Sequence, residues 1–358
     1  MGKADLSSDA GAVAPLNDAR AFNRRAVLAL AMAQGVLTRH DAAAMSGLSK
    51  ATVSRVVREL VAADVLLEGP ASSRGLSGRP TTSLIFNANC AWACGVSLSS
   101  DGAVDVSLAD ARGVVFHQAQ HRLGGSRAGH AARKLATHIV SRLPSADVPV
   151  AVTIGVPARV RSNAVVAESR STEPESAYAA LASELRCHLA ADVDIVSETD
   201  LAVLGEVWGG AARGSDSAVY LSVEPAPRAG VYLNGALLRG RNGLVGEFGA
   251  IAYGSGMSVE DHLLGAISRQ DRDEEETILY FLCEIIASAY SPEVIVLSSD
   301  PVIGGPAAVS RLARRFAASG PAQLPRLVVG ELGPRASVLG AQQSAVRRVE
   351  QLLLGTNR

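Results

Sequence analysis

The stretch SGLSKATVSRVVREL, residues 46–60, decides how the rest of the chain is read. Ser46-Gly47-Leu48 makes a tight turn, and Ser49 has the short acceptor side chain that satisfies the orphan amides at a helix start. Val53, Val56, Val57 and Leu60 then fall at i, i+3, i+4 and i+7, one stripe of a helix. The opposite face shows Lys50, Thr52, Ser54, Arg55 and Arg58. Such a helix is fixed to a scaffold by its apolar side and turns its polar side outward. A DNA recognition helix needs this division, with N-terminal polar residues at base edges and arginines at phosphates. Ser49, Lys50, Ala51, Thr52, Ser54, Arg55 and Arg58 are the candidate DNA contacts on it.

Outward from this helix, a helical pattern runs from Asp18 to Gln34, with Phe22, Ala26, Leu30 and Ala33 near one face and Gly35 as its stop. Thr38 can cap a second short helix through Met45. Downstream, Val65–Glu68 and Thr82–Phe86 read as two short strands joined by a loop rich in Gly, Ser and Pro, a β-wing. Arg74 and Arg79 in that loop complete the candidate DNA contacts, suited to a minor groove whose negative potential attracts guanidinium groups. A three-helix pattern alone would equally suit a protein-interaction bundle; the wing and the polar helix face favour DNA.

Charge agrees. From residue 20 to residue 80, nine Arg or Lys stand against four Asp or Glu, in a chain whose net charge is −1. A basic module on an acidic body points to a polyanion partner for the first module alone. The 358 residues are 48% hydrophobic and 19% charged, enough for two or three domains. Cys90, Cys94, Cys187 and Cys283 follow no disulfide or zinc spacing. No apolar run reaches the roughly 18 residues of a membrane span. Residues 1–17 lack the features of a signal peptide and read as a disordered lead-in. A soluble, cytoplasmic protein with no membrane partner is expected.

From Ala91 the texture changes to alternating strand-like and helical runs. Ala93–Ser99 and Ala103–Ala109 form one hairpin, and Ala218–Val223 with Gly230–Leu233 form another about 125 residues later. Two similar starts suggest a duplicated α/β unit with a cleft between two lobes. Val148–Ile154 and Val294–Leu297 are further buried-strand candidates.

Several motifs now stand in order: SGRP (77–80), TIGVPA (153–158), ETDLAVLGE (198–206), LNGALLRGRNGLVGEFG (233–249), PEVIVL (292–297) and ELGPRASVLGA (331–341). Together they resemble the ROK family of repressors and sugar kinases, over roughly Phe22 to Leu353. The resemblance implies an α/β chain: an N-terminal winged helix-turn-helix, then a two-lobed actin-like ATPase domain, sugar-kinase-like and ribonuclease-H-like in its duplication. The expected layout is a lead-in at 1–17, the DNA-binding domain at 18–86 and the body at 87–358. Within the body, lobe 1 takes 87–200 with a C-terminal helix at 335–354, and lobe 2 takes 201–334. The winged helix matches the repressor branch.

In similar kinases, glycine loops wrap the phosphates of ATP, because only glycine lets the backbone approach so closely. Here the first loop reads Gly95-Val-Ser-Leu-Ser-Ser-Asp101, without the family's carboxylate and glycine pair. The second reads Glu224-Pro-Ala-Pro-Arg-Ala-Gly230, where two prolines remove amide donors. The late glycine run is Ser298-Ser299-Asp300. The family's zinc ligands are missing as well: Ala250 stands in the histidine position, and residues 251–258 contain no cysteine. No catalytic residue, metal or cofactor is expected.

The sugar pocket is half kept. Asp200 occupies the family's catalytic-base position, although Thr199 replaces the preceding Asn, and Glu247 and Glu260 match carboxylates that accept from sugar hydroxyls. The strand-loop after Pro157 is replaced by the divergent ARVRSNAVVAESRSTEPES. The three acids serve either an effector site or an empty cleft that they anchor. His117 and His121 read as surface residues, Trp208 as lobe packing, and Arg269–Glu276 as a solvated linker and helix start.

The expectation from all this is a transcriptional regulator, a repressor by resemblance. It binds double-stranded, inverted-repeat operator DNA as a homodimer or dimer of dimers, associates with the bacterial nucleoid, and answers to a sugar or other small-molecule effector. A ligand-independent or protein-controlled DNA-binding regulator is the alternative, and a ROK sugar kinase is disfavoured by its loops.

Overall fold

The computed structural model describes residues 16–72, 81–122, 128–145, 147–166, 175–189, 191–223, 226–254, 256–299, 305–319 and 324–355. Two compact units emerge: Met1–Cys90 with Glu350–Arg358, and Ala91–Val349.

The first unit runs α1 (Leu16–Gln34), β1 (Val36–Thr38), α2 (Arg39–Ser46), α3 (Lys50–Ala62), β2 (Leu66–Ser72) and β3 (Thr81–Phe86). Its sheet has the order β1-β3-β2, antiparallel throughout. The wing loop at 73–80, with Arg74 and Arg79, lies outside the described residues, as do residues 1–15. Strand β1 is too short to announce itself in sequence and exists because Val36 registers against Ile85. The buried face of α1 also differs from the expected one. Val27, Leu28 and Ala31 are buried, whereas Phe22 is 68% exposed. Apolar residues surround most of this helix, so periodicity alone offers several stripes, and contact with α2, α3 and β3 selects one. Arg24 donates to the Leu353 carbonyl (2.8 Å) and Arg25 faces Glu350 (3.6 Å), tying the chain's last turns into this unit.

The second unit begins with β4 (Trp92–Leu98), β5 (Ala103–Asp110), β6 (Val115–Arg122), α4 (Ala128–Arg142), β7 (Val150–Val156), β8 (Val160–Arg161), β9 (Ala164–Val165), α5 (Glu175–Leu189), β10 (Asp192–Ser197) and α6 (Glu198–Gly209). It continues with β11 (Ala218–Ser222), β12 (Arg228–Leu233), β13 (Ala236–Leu237), β14 (Ala252–Tyr253), β15 (Met257–Ser258), α7 (Val259–Arg269), α8 (Arg272–Tyr290), β16 (Val294–Leu297), α9 (Gly305–Ser319), β17 (Arg326–Val329) and α10 (Arg335–Leu354).

Two five-stranded sheets repeat one topology. The orders β10-β7-β4-β5-β6 and β17-β16-β11-β12-β13 match strand for strand, with three antiparallel strands followed by two parallel ones. The fold is a duplicated α/β unit of ribonuclease-H-like, actin-like type. Its central strands β4, β7, β11 and β16 are buried along their whole length, as sheets covered on both faces require. Leu135, Ile139, Leu181 and Leu185 of α4 and α5 pack on the first sheet, and Leu263, Ile278, Leu282 and Leu312 of α7, α8 and α9 on the second. Between them α6 and α10 cross at glycines. A Cβ on Gly340 would stand 1.8 Å from the Leu201 carbonyl oxygen, and one on Gly205 would stand 2.1 Å from that of Ala336.

The motif ETDLAVLGE owes its last residue to packing. Glu206 is fully buried, and its carboxylate accepts from the amides of Ala211 (2.7 Å), Leu332 (3.0 Å) and Glu331 (3.3 Å), joining α6 to ELGPRASVLGA. Three side-chain expectations are corrected. His117 and His121 lie half-buried on β6, their Nε2 atoms enclosed and their rings 5.9 and 4.5 Å from that of His138 on α4. Trp208 is 53% exposed and is not a packing residue. In 269–276, Glu275 is buried and paired with Arg272 (2.6 Å), so that run is not wholly solvated.

Candidate functional site

Local chemistry sets α3 in place. Helix α2 starts in a reciprocal cap: Thr38 Oγ1 accepts from the Asp41 amide while Asp41 accepts from the Thr38 amide. It ends at Gly47, whose left-handed φ of 70° suits glycine and lets its amide donate to the Ala43 carbonyl. Ser49 then caps α3 by accepting from the Thr52 amide (3.1 Å), and its hydroxyl also pairs with that of Thr52 (2.9 Å). Val53, Val56, Val57 and Leu60 are buried. Ser49, Lys50, Ala51, Arg55 and Arg58 are exposed, while Thr52 and Ser54 are half-buried. Arg58 bends back toward the Ser54 carbonyl (3.4 Å), and Arg20 pairs with Glu59 (2.9 Å), the one acid of α3.

In the second unit a cavity of about 180 Å³ is lined by Asp200 and Glu247 together with Arg159, Arg161, Ser162, Asn163, Ser197, Thr199 and Arg239. Asp200 stands in the first turn of α6, and burial, aided by Glu247, pushes its carboxyl up to about 7 against the opposing pull of Arg239. Glu247 Oε2 lies 3.4 Å from Arg228 Nε. Glu260 is not among the lining residues; it begins α7 with its carboxylate against Gly249. The structure thus brings together two of the three acids.

The divergent segment after Pro157 supplies what sequence reading missed. It folds into the hairpin β8–β9, with Ser162 (φ 51°) and Asn163 (φ 62°) both left-handed, as a two-residue type I′ turn demands. The Asn163 amide donates to the Val193 carbonyl (3.0 Å) and accepts from the Ile195 amide (2.6 Å), filling the open edge of β10. Opposite, the glycine-rich loop after β13 presses on the hairpin. Gly243 has a φ of 64°, and a Cβ there would stand 2.4 Å from the Val160 carbonyl oxygen. The asparagine–turn pairing was the available signal, but the partner strand lies 30 residues away.

At the two loops compared above with phosphate loops, several groups are engaged within the chain. In the turn after β4, the Ser99 amide donates to Ala103, the Gly102 amide to Ser99 and the Ala103 amide to Asp101. Ser97 bonds Ser337 of α10. Arg228, from the second loop, is buried and donates to the Pro157 carbonyl (3.2 Å); Glu224 and Pro225 of that loop lie outside the described residues. The residues at the family's zinc position do not fit that ion. Ala250 is exposed, β14–β15 bears no sulfur or imidazole donor except the thioether of Met257, and His262 meets the Tyr253 ring edge to face and faces Glu274 (3.6 Å). Among the described residues no helix is long and apolar enough to cross a membrane.

Residues 104–262 match the model of the ROK family. That match covers 159 of the 358 residues. The xylose repressors of Bacillus spizizenii and Bacillus subtilis are each 25% identical over 232 residues, which is 63% of this chain and 59% of theirs. A ROK family transcriptional regulator, a homologue of the E. coli MLC protein, superposes with a TM-score of 0.71 at 18% identity, over 95% of this chain and all of that one. A ROK hexokinase from Thermus thermophilus reaches 0.55 at 20% identity, over 73% and 99%. The kinase thus overlays about three quarters of the chain, and the regulator overlays nearly all of it.

Proposed function

We propose that this chain is a DNA-binding transcriptional repressor whose ROK domain has given up phosphoryl transfer and serves for dimerisation and effector sensing. One observation carries the reading: α3 is capped at Ser49 and buried by four apolar residues, with Lys50, Ala51, Arg55 and Arg58 exposed along its other side. That arrangement suits a major groove. The names of the two Bacillus relatives support the sign of regulation, and the regulator fold over 95% of the chain supports the domain pairing. Closed backbone turns and the buried Arg228 leave little for a nucleotide phosphate to bind. Ser49, Lys50, Ala51, Thr52, Ser54, Arg55 and Arg58, with Arg74 and Arg79 of the wing, contact the operator; Asp200 and Glu247 receive hydroxyl groups of an effector.

A two-fold dimer would place its recognition helices on half-sites roughly 34–36 Å apart, making the operator an inverted repeat. The test is a footprint on the DNA flanking the protein's own gene, followed by titration at two salt concentrations. Arg55→Ala should weaken operator binding by about 1–3 kcal/mol if Arg55 reads a base. If Arg55 grips phosphate, operator and random DNA should weaken together and the salt slope should fall by about one unit. Unchanged affinity in Arg55→Ala, Arg58→Ala and Arg79→Ala would refute the reading. So would phosphorylation of a hexose above the no-enzyme rate, for the kinase half.

A further inference from the structure

Three imidazoles form a row in the second unit, and none of them lines the cavity. The His138 ring on α4 stands 4.5 Å from that of His121 and 5.9 Å from that of His117, both on β6. The Nε2 atoms of all three are enclosed and have no hydrogen-bond partner among the described residues. His117 and His121 lie four residues apart on one strand, about 13 Å along it, so the three do not converge on one metal ion. The groups around the row are apolar or cationic. On β5, the residues registered against His121, Ala119 and His117 are Val104, Val106 and Leu108, all buried. On α4, Lys134 and Arg142 stand four residues either side of His138. The acids of neighbouring elements are engaged elsewhere. Asp105 accepts from Gln120 (3.2 Å) on the alternate face of the strand, Asp101 pairs with Arg122 (3.1 Å), and Glu184 of α5 pairs with Arg133 (3.1 Å). Burial pushes the His121 and His138 imidazoles below the ordinary 6.5, and the neighbouring imidazoles and, for His138, Arg142 push the same way.

We infer that His117, His121 and His138 form an acid-sensitive latch, which holds α4 against β6 while the three rings are neutral and releases it when they are protonated. The released contact takes up protons at the ordinary imidazole value and the closed one only below it. Closure is therefore fully favoured above about pH 6.5 and progressively less so as pH falls through the imidazole range. Strand β6 is the outer strand of its sheet and pairs with β5 alone among the described residues, so it can part from α4 without disturbing β4 and β7. The latch depends on neither DNA nor an effector.

The experiment is hydrogen–deuterium exchange of the full chain between about pH 7.5 and about pH 5.5, corrected for intrinsic exchange rates and with a metal chelator present. Peptides covering β6 and α4 should lose protection roughly ten-fold or more at the lower pH, relative to those covering β4 and β7. Local exchange is the readout because Asp200, with its carboxyl at about 7, titrates in the same range and affects global stability. His138→Phe keeps a ring between the two β6 histidines and removes the central charge, so it should abolish most of that loss. Arg142→Gln, at an exposed position, removes a cation that disfavours the His138 proton, so the midpoint of the loss should move to higher pH. Equal protection of β6 and α4 at both ends of the range would overturn the latch, as would equal losses in wild type and His138→Phe. An unmoved midpoint in Arg142→Gln would overturn charge on His138 as the trigger.

Discussion

Arg228 and Glu247 meet at 3.4 Å, and their backbones form an isolated antiparallel bridge between the start of β12 and the glycine-rich loop. Arg228 thus supports a cavity carboxylate. Removing Glu247 strands a buried guanidinium whose remaining contacts include the Pro157 carbonyl. Glu247→Ala should therefore lower stability by about 1–3 kcal/mol, read by urea denaturation. The paired change Glu247→Gln with Arg228→Met should recover part of that loss, because replacing both charges leaves none unpaired. A loss as large in the double variant as in Glu247→Ala would show that the pair is not the cause.

Asn163 contributes both a backbone conformation and two hydrogen bonds, and substitutions separate them. Asn163→Gly keeps the left-handed turn and loses the bonds to Val193 and Ile195, at a cost of about 1–3 kcal/mol. Asn163→Ala loses both and should be worse by up to about 1 kcal/mol more, since alanine resists positive φ. Chemical denaturation of the two variants checks the order. Equal stability of glycine and alanine variants would contradict the turn assignment.

Asp200 makes stability depend on pH in a defined direction. Its folded value of about 7 lies above the ordinary 3.8, so the folded state holds the proton longer than the unfolded chain does. Its favourable contribution is complete below about pH 4 and is lost as pH rises toward 7, with a slope of at most about 1.4 kcal/mol per pH unit. Asp200→Asn should flatten the ligand-free stability profile across that window and gain most above pH 7. Parallel profiles for wild type and Asp200→Asn would contradict the buried position of this carboxyl.

Ser49 joins helix stability to the DNA surface, and two substitutions distinguish its roles. Ser49→Ala removes the cap on α3 and should cost about 1 kcal/mol of stability. Ser49→Asp preserves an acceptor for the Thr52 amide, so stability should hold while DNA affinity falls through repulsion by phosphate. Thermal melting and operator titration of both variants provide the readout. Undiminished operator affinity in Ser49→Asp would move the DNA contact away from this helix start.

How much was legible depended on whether a signal was local. The α3 stripe, the Ser49 cap, the Thr38 cap and the two hairpin starts were all readable, because each rests on spacings of a few residues. Strand β1 and the buried face of α1 were not, because a three-residue strand and an apolar-rich helix acquire their identity from partners. The acids Asp200 and Glu247 were found through motif resemblance, whereas Arg159 and Arg161 stand in a segment in which no motif was read.

By itself the sequence determined the division into a basic helical module and an α/β body, and it determined the duplication, since periodicity and turn chemistry act within a dozen residues. Tertiary structure alone decided which residues share the cavity. Asp200, Arg161 and the pair Glu247 and Arg239 come from three separate stretches, and their electrostatics exist only at the distances that folding imposes. It also decided that Glu260 faces Gly249 and that Arg228 supports Glu247. Charge acts over ångströms in space, and separation along the chain carries no record of it.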